Sequence, residues 1–334
     1  MTEFAMPTPP FVQFAHALAG EHKGNVLTEK ALLAALRGDE PAWVHLDGKQ
    51  EGADEWIAHH LDYLDPQAIE ALLDVSTRSR FTALGNGMIL ILRGMNFNAG
   101  EDPEDMVSIR MWIDPQRIVT ISRKRVVAIE KMHAAMSEGQ GPETAGEFLV
   151  KLVEDVTENI NKFQKELDTR ADLLEHRVIS ERNEHLRRKV VDMRLQIIAA
   201  RRFLGPQRDA LAQIIASKLD FLDPNTRREI EEEHVKMMRI VEDMDELRDQ
   251  AAVLREEISG QISDRLNRNM FVLSVLSAIF LPLGFLTGLF GVNVGGLPGL
   301  ENGQAFFWLC ASMGGLVLVQ LLVLWRLRWI GRGG

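Results

Sequence analysis

The chain has one cysteine in 334 residues, Cys310, and it lies inside an apolar run near the C-terminus. A single thiol excludes an intrachain disulfide framework and a thiolate metal cage. Positive charge is scarce as well: 38 Lys and Arg stand against 48 Asp and Glu, a formal net charge of -10. Nucleic acid selects a basic face, so that balance argues against it as a partner; it is compatible with a protein that handles cations. Enzyme signatures are missing too. There is no P-loop Gly-Lys-Ser/Thr, no Gly-x-Ser-x-Gly elbow and no His-Glu-x-x-His. Nucleotide-driven pumping and the corresponding hydrolytic chemistries have no motif to rest on, and no bound cofactor is expected. The first 20 residues, MTEFAMPTPPFVQFAHALAG, lack the basic start and long apolar core of a signal peptide, so the polar body is expected to stay in the cytoplasm.

Two uncharged runs are present instead, Met270 to Val292 and Phe306 to Trp325. Each is long enough to cross a bilayer, which needs about 20 apolar residues at a rise of about 1.5 Å. The loop between them carries a single charge, Glu301, and no Lys or Arg. Arg265 and Arg268 precede the first run, and Arg326, Arg328 and Arg332 follow the second. The positive-inside rule places both termini in the cytoplasm and the loop outside. Trp308 at one end and Trp325 and Trp329 at the other suit an interfacial aromatic belt.

The polar body divides in three. From about residue 9 to 124, segments 41–47, 87–97, 106–114 and 117–124 have strand character, with Asp114-Pro115-Gln116 as a hairpin connection. Segments 31–38 and 66–75 read as helices, the second with Asp65 as N-cap and Pro66 at N1. The pattern predicts an α+β domain with a largely antiparallel sheet. From about 125 to 222, residues 143–176 and 181–203 predict long helices with one buried stripe, Gly205-Pro206 punctuating the second. Asp223-Pro224-Asn225 then starts a helix with no further proline before Pro282. If continuous to Val292, it spans roughly 100 Å at about 1.5 Å per residue. Its first half is dense with carboxylates, which form either a solvated face paired with Arg227, Arg228, Arg239, Arg248 and Arg255 or an acidic vestibule that concentrates cations. The expected divisions are a cytoplasmic domain 1–140, a helical stalk 141–268, a first span 269–293, an outer loop 294–304, a second span 305–327 and a basic tail 328–334.

Two helices cannot enclose a hydrated path, so conduction requires several copies around an axis. In the first span a heptad-spaced line joins Met270, Ser277, Gly284 and Gly291, with Ser274, Leu281 and Gly288 beside it. Much of this stripe is small or hydroxylated, which serves close helix packing or contact with a hydrated ion. Pro282 frees a backbone carbonyl that a neighbour or water must satisfy. In Gly291-Val292-Asn293, glycine permits close backbone approach and asparagine offers an uncharged carbonyl. A ring of such carbonyls could hold a divalent cation by its water shell; spacing alone equally permits a plain hairpin between two anchors.

The arrangement resembles the CorA-type divalent-cation transporters, with a large N-terminal domain, a long helix entering the first span, a Gly-x-Asn turn and a second C-terminal span. Gly291-Val292-Asn293-Val294-Gly295-Gly296, with valine where the magnesium branch has methionine, resembles the zinc-transporter (ZntB) branch of that family. The resemblance implies a homopentameric funnel, a pore formed by the first span, a filter at Gly291, Val292 and Asn293, and transport of Zn2+, with Cd2+, Ni2+ or Co2+ as relatives. Glu301 would raise the cation concentration near the filter, and Met270, Leu273, Ser274, Ser277, Leu281, Gly284 and Gly288 would line the path. A 100 mV potential drives a divalent ion inward by about 4.6 kcal/mol, which favours uptake. The spans contain no Asp, Glu or His to relay a proton, so coupling would need Glu301 or the acidic stalk. The literal Gly94-Met95-Asn96-Phe97 has no apolar span before it and reads as coincidence. Among cytoplasmic metal candidates, Glu231 and His234 lie about one turn apart, whereas adjacent His59 and His60 diverge by about 100° on a helix and make a poor chelate.

Overall fold

The structure, a computed structural model, describes residues 9–20, 23–27, 29–61, 63–74, 78–181, 185–292 and 303–326. It forms two compact units, one up to Glu257 and one from Ile258 onward.

The first unit is built on six strands: β1 (Val12–Ala17), β2 (Ala42–Asp47), β3 (Arg80–Leu84), β4 (Gly87–Gly94), β5 (Val107–Ile113) and β6 (Arg117–Ser122). Their order is β1-β2-β6-β5-β4-β3. The sheet is mixed rather than simply antiparallel. The β2–β6 pairing is parallel, because the chain leaves β2 and returns to its side only after building the β3–β6 meander. The pairings of β1 with β2 and of β3 through β6 are antiparallel. The strand expectations for β2, β4, β5 and β6 hold. The edge strands β1 and β3 went unrecognised; β3 is only five residues long and none of them is fully buried.

Both faces of the central strands are covered, which accounts for their nearly continuous apolar runs. Helices α1 (Glu29–Arg37), α2 (Ala53–His60) and α3 (Pro66–Leu73) bury Ile57, Leu61 and Leu72 with Val44, Leu46, Ile89, Ile91, Val119 and Ile121. Asp65 caps α3 as expected, accepting from Gln67 N at 2.8 Å ahead of Pro66. On the other face, α4 (Val127–Ser137) packs with α5 (Ala145–Ser180), and α5 and α6 (His185–Ala216) contact the sheet. There Trp43 meets Phe148 with ring centroids 5.0 Å apart. Thr144 caps α5, accepting from Glu147 N at 3.1 Å, while Glu147 accepts from Glu143 N at 2.8 Å.

Gly205-Pro206 does not end α6, which runs through it to Ala216. Packing overrides the break: the neighbouring Gln207 is buried and accepts from Ser79 Oγ at 3.2 Å and Arg93 N at 2.6 Å, fastening the helix to β4 and to the residue just before β3. Helix α7 (Pro224–Gly291) is continuous over 68 residues, and Asp223 accepts from Thr226 N at its start. Arg227, grouped above with the salt-bridging arginines, instead donates to Ile215 O, Ser217 O and Leu219 O, satisfying carbonyls at the end of α6. In the second unit, α7 continues and α8 (Ala305–Arg326) follows.

The sheet tolerates little added volume at the β3–β4 turn. A Cβ on Gly87 would lie 2.4 Å from Trp112 Cζ2 and 3.0 Å from Ile113 O. Gly87→Ala is expected to destabilise the protein by about 1–3 kcal/mol, the usual cost of overpacking. Thermal unfolding of the full-length protein in detergent, followed by tryptophan fluorescence, checks this; an unchanged midpoint refutes it.

Candidate metal-ion path and other candidate sites

The second unit holds two helices apolar and long enough to cross a membrane, α7 in its last part and α8. In the membrane part of α7 the half-buried residues are Phe271, Val275, Ile279, Pro282, Leu283 and Leu286. In α8 the covered residues are Ala305, Leu309, Met313, Leu316, Val317, Gln320 and Leu324. Steps of three and four place each set on one face. These are the faces that meet, as the hydrogen bond from Gln320 Nε2 to Ala278 O at 3.0 Å requires.

The predicted stripe lies elsewhere. Met270, Leu273, Ser274, Ser277, Leu281, Gly284, Gly288 and Gly291 are all exposed. At about 100° per residue their mean direction is roughly 180° from the face that meets α8. Among the described residues, a Cβ on Gly284, Gly288 or Gly291 would touch nothing within 4 Å. The uncovered side of α7 is therefore an open surface with little bulk at its glycines. Thr287 is not free to act there, since its hydroxyl is 3.0 Å from Leu283 O and 3.1 Å from Gly284 O. Val292 is exposed at the end of the helix; Asn293 and Glu301 lie outside the described residues.

The carbonyl released by Pro282 is that of Ala278, four residues earlier, and Gln320 is its donor. The sequence announced the vacancy but not its partner. The signal was available, since Gln320 is the one carboxamide within α8.

A family model described as CorA-like Mg2+ transporter protein matches residues 38–327. The chain belongs to the CorA-like family. The zinc transport protein ZntB of Pectobacterium carotovorum subsp. carotovorum (strain PC1) is 32% identical over 323 residues, covering 94% of this chain and 95% of that protein. The divalent cation transporter CmaX of Pseudomonas aeruginosa is 32% identical, covering 88% and 89% respectively. The structure of full-length CmaX superposes with a TM-score of 0.81 at 30% identity, over 96% of this chain and 98% of that one. The chain is a divalent-cation transporter of this family and not an enzyme.

On the metal candidates of the first unit the structure is less generous. Glu231 is exposed and His234 half-buried on α7, and among the described residues no three His, Cys, Asp or Glu side chains converge as a metal site. The pair thus finds no third ligand there. His59 and His60 lie with rings 4.9 Å apart at 82°, and His60 packs on Trp56. Asn96 of the literal Gly-Met-Asn-Phe is buried and braces a loop, donating to Glu101 and accepting from Asn98. The carboxylates of α7 are partly paired: Arg201 grips Asp245 through Nε at 3.1 Å and Nη2 at 3.0 Å, and Arg248 reaches Asp249 at 2.9 Å.

Sequence reasoning missed a histidine cluster between the sheet and α4. His16 and His45 are buried, and Phe14 stacks on His45 and on His133 with centroids 5.1 and 4.0 Å apart. His16 Nδ1 donates to Gly24 O at 3.2 Å, so its Nε2 accepts from His133 Nδ1 at 2.7 Å. His45 Nδ1 donates to Thr120 Oγ1 at 2.8 Å. Burial, aided by His133, pushes the His45 pKa down to about 3, and burial lowers those of His16 and His133 as well. The signal was weak because β1 was not recognised.

These depressed values set a pH dependence. Between about pH 6.5 and 3 the unfolded chain binds a proton at His45 and the folded chain does not, so stability is lost as pH falls through that window. The slope approaches about 1.4 kcal/mol per pH unit for one such histidine. Unfolding midpoints recorded between pH 7.5 and 5 are expected to fall, and His45→Gln to flatten the profile; an equally steep profile in that variant removes His45 as the cause.

Proposed function

We propose that the chain works as a homopentamer in the bacterial inner membrane, both termini cytoplasmic, and carries zinc inward through an axial path lined by α7. The observation that supports this most directly is the opposition of the two faces of α7. One is occupied by α8, while the other is uncovered and includes small residues and serines at Ser274, Ser277, Gly284 and Gly288. Such a helix can turn its open face to an axis and leave α8 toward lipid. Met270, Leu273 and Leu281 would complete the lining. Gly291, Val292 and Asn293 would form the outer filter, and Glu301 in the loop 294–304 would gather cations before it. The zinc assignment rests on Val292 and Val294-Gly295-Gly296 and on the similarity to the zinc transport protein of Pectobacterium. Cd2+, Ni2+ and Co2+ would be secondary cargo. In this reading residues 1–140 and the stalk 141–268 stand on the cytoplasmic side, spans 269–293 and 305–327 cross, and the basic tail 328–334 returns inside.

The membrane potential alone would drive entry, at about 4.6 kcal/mol per divalent ion for 100 mV. The charged residues nearest a coupled proton would be Glu301 and the carboxylates of α7 before the membrane. The alternative substrates are magnesium or cobalt through the same scaffold; the family model's description names Mg2+, and CmaX is named for divalent cations in general.

Zinc uptake into proteoliposomes tests the proposal. Asn293→Ala is expected to lower zinc flux about tenfold, the equivalent of about 1.4 kcal/mol for one lost contact to the ion's water shell. Unchanged flux would reject Asn293 as filter, and flux of magnesium or cobalt well above zinc would replace the substrate. A protein that passes no divalent ion would instead be a membrane-anchored scaffold. An imposed pH gradient that leaves the rate unaltered rules out proton-driven uptake.

A further inference from the structure

A glutamine inside an apolar span is costly, because its amide must find partners where water is absent. Gln320 is half-buried on the face of α8 that meets α7. Its Nε2 donates to Ala278 O at 3.0 Å, while its Oε1 is buried and has no hydrogen-bond partner within the described residues. The orientation of the amide is therefore set by the Ala278 carbonyl. That carbonyl is the one whose helical donor is missing, since residue 282 is proline and brings no N–H. A leucine at 320 would avoid the unpartnered Oε1 but would leave the carbonyl bare.

We propose that Gln320 is a positioning residue for the ion path. Its side chain replaces the backbone N–H absent at Pro282 and so locks α8 to α7 at one height and one rotation. Because α8 occupies one face of α7, this lock determines which face remains open. Ser277 and Leu281 belong to that open face and lie within one turn of Ala278, so a slip at Ala278 is passed directly to them. The inference rests on the reading that α7 lines the path.

The consequence is a specific coupling between Gln320 and Pro282. Gln320→Leu is expected to lower divalent flux in proteoliposomes about tenfold and to lower the unfolding midpoint in detergent. In a Pro282→Ala background, residue 282 regains an N–H for Ala278 O, and Gln320→Leu is expected to change flux less than twofold and the midpoint little. Equal effects of Gln320→Leu in both backgrounds would mean that glutamine acts by bulk packing and would overturn the proposal. Coupling in the midpoint with flux unchanged by Gln320→Leu would overturn the positioning role while leaving the hydrogen bond. The underlying reading is judged separately: wild-type flux that is insensitive to Asn293→Ala and to bulky substitution at Ser277 removes α7 from the path, whatever the Gln320 cycle shows. If Gln320→Leu fails to accumulate, the cycle is read from Gln320→Leu combined with Pro282→Ala, whose recovery is expected and whose continued failure counts against the proposal.

Discussion

A backbone carbonyl in hydrocarbon has no water to turn to, and the membrane unit of this protein is organised around one such group. Pro282 removes the donor of Ala278 O, and Gln320 supplies another from the second helix. Shape complementarity alone would hold two apolar helices together weakly, because lipid tails solvate them as well as they solvate each other. A directional bond adds what apolar contact lacks, a defined register. Once α8 is seated over Phe271, Val275 and Ile279, the opposite side of α7 is left bare.

That bare side is unlike the one it opposes. It is interrupted by Ser274, Ser277, Gly284 and Gly288, and a Cβ on either glycine would meet nothing among the described residues. A transporter of this family needs a polar route through an apolar barrier, and two helices cannot enclose one. The first unit is stabilised by different means. A mixed sheet buried on both faces supplies the core, and long helices are fastened by buried amides and guanidinium groups. Gln207 ties α6 to the sheet, and Arg227 closes the carbonyl end of α6. Its depressed histidines lie far in sequence from one another and share one aromatic cluster with Phe14.

Much of the architecture was legible before any fold was in view. Helix α7 was readable over its whole length because Asp223-Pro224 opens it and no proline follows until Pro282. Strands β2, β4, β5 and β6 were readable because strands buried on both faces carry unbroken apolar runs. The less legible elements were those whose identity depends on neighbours. Edge strand β3 is half exposed, so its pattern is faint. Gly205-Pro206 looked like a stop, but buried contacts on either side hold the helix through it. Arg227 looked like one more salt-bridging cation, whereas the end of α6 came to lie beside it. The Glu231 and His234 spacing was real, yet a chelate needs ligands from more than one element and none joins them among the described residues.

The sequence by itself determined the two spans, the single long helix that enters the first, the small-residue stripe along it, and the carbonyl that Pro282 would leave unpaired. These are properties of local order: apolar run length, helical period and the missing N–H of an imino acid. Only the tertiary structure decided which residue answers that carbonyl, which face of α7 is covered, and that the β2–β6 pairing is parallel. Each of those depends on residues distant along the chain meeting in space, and no local pattern encodes the distance between Ala278 and Gln320.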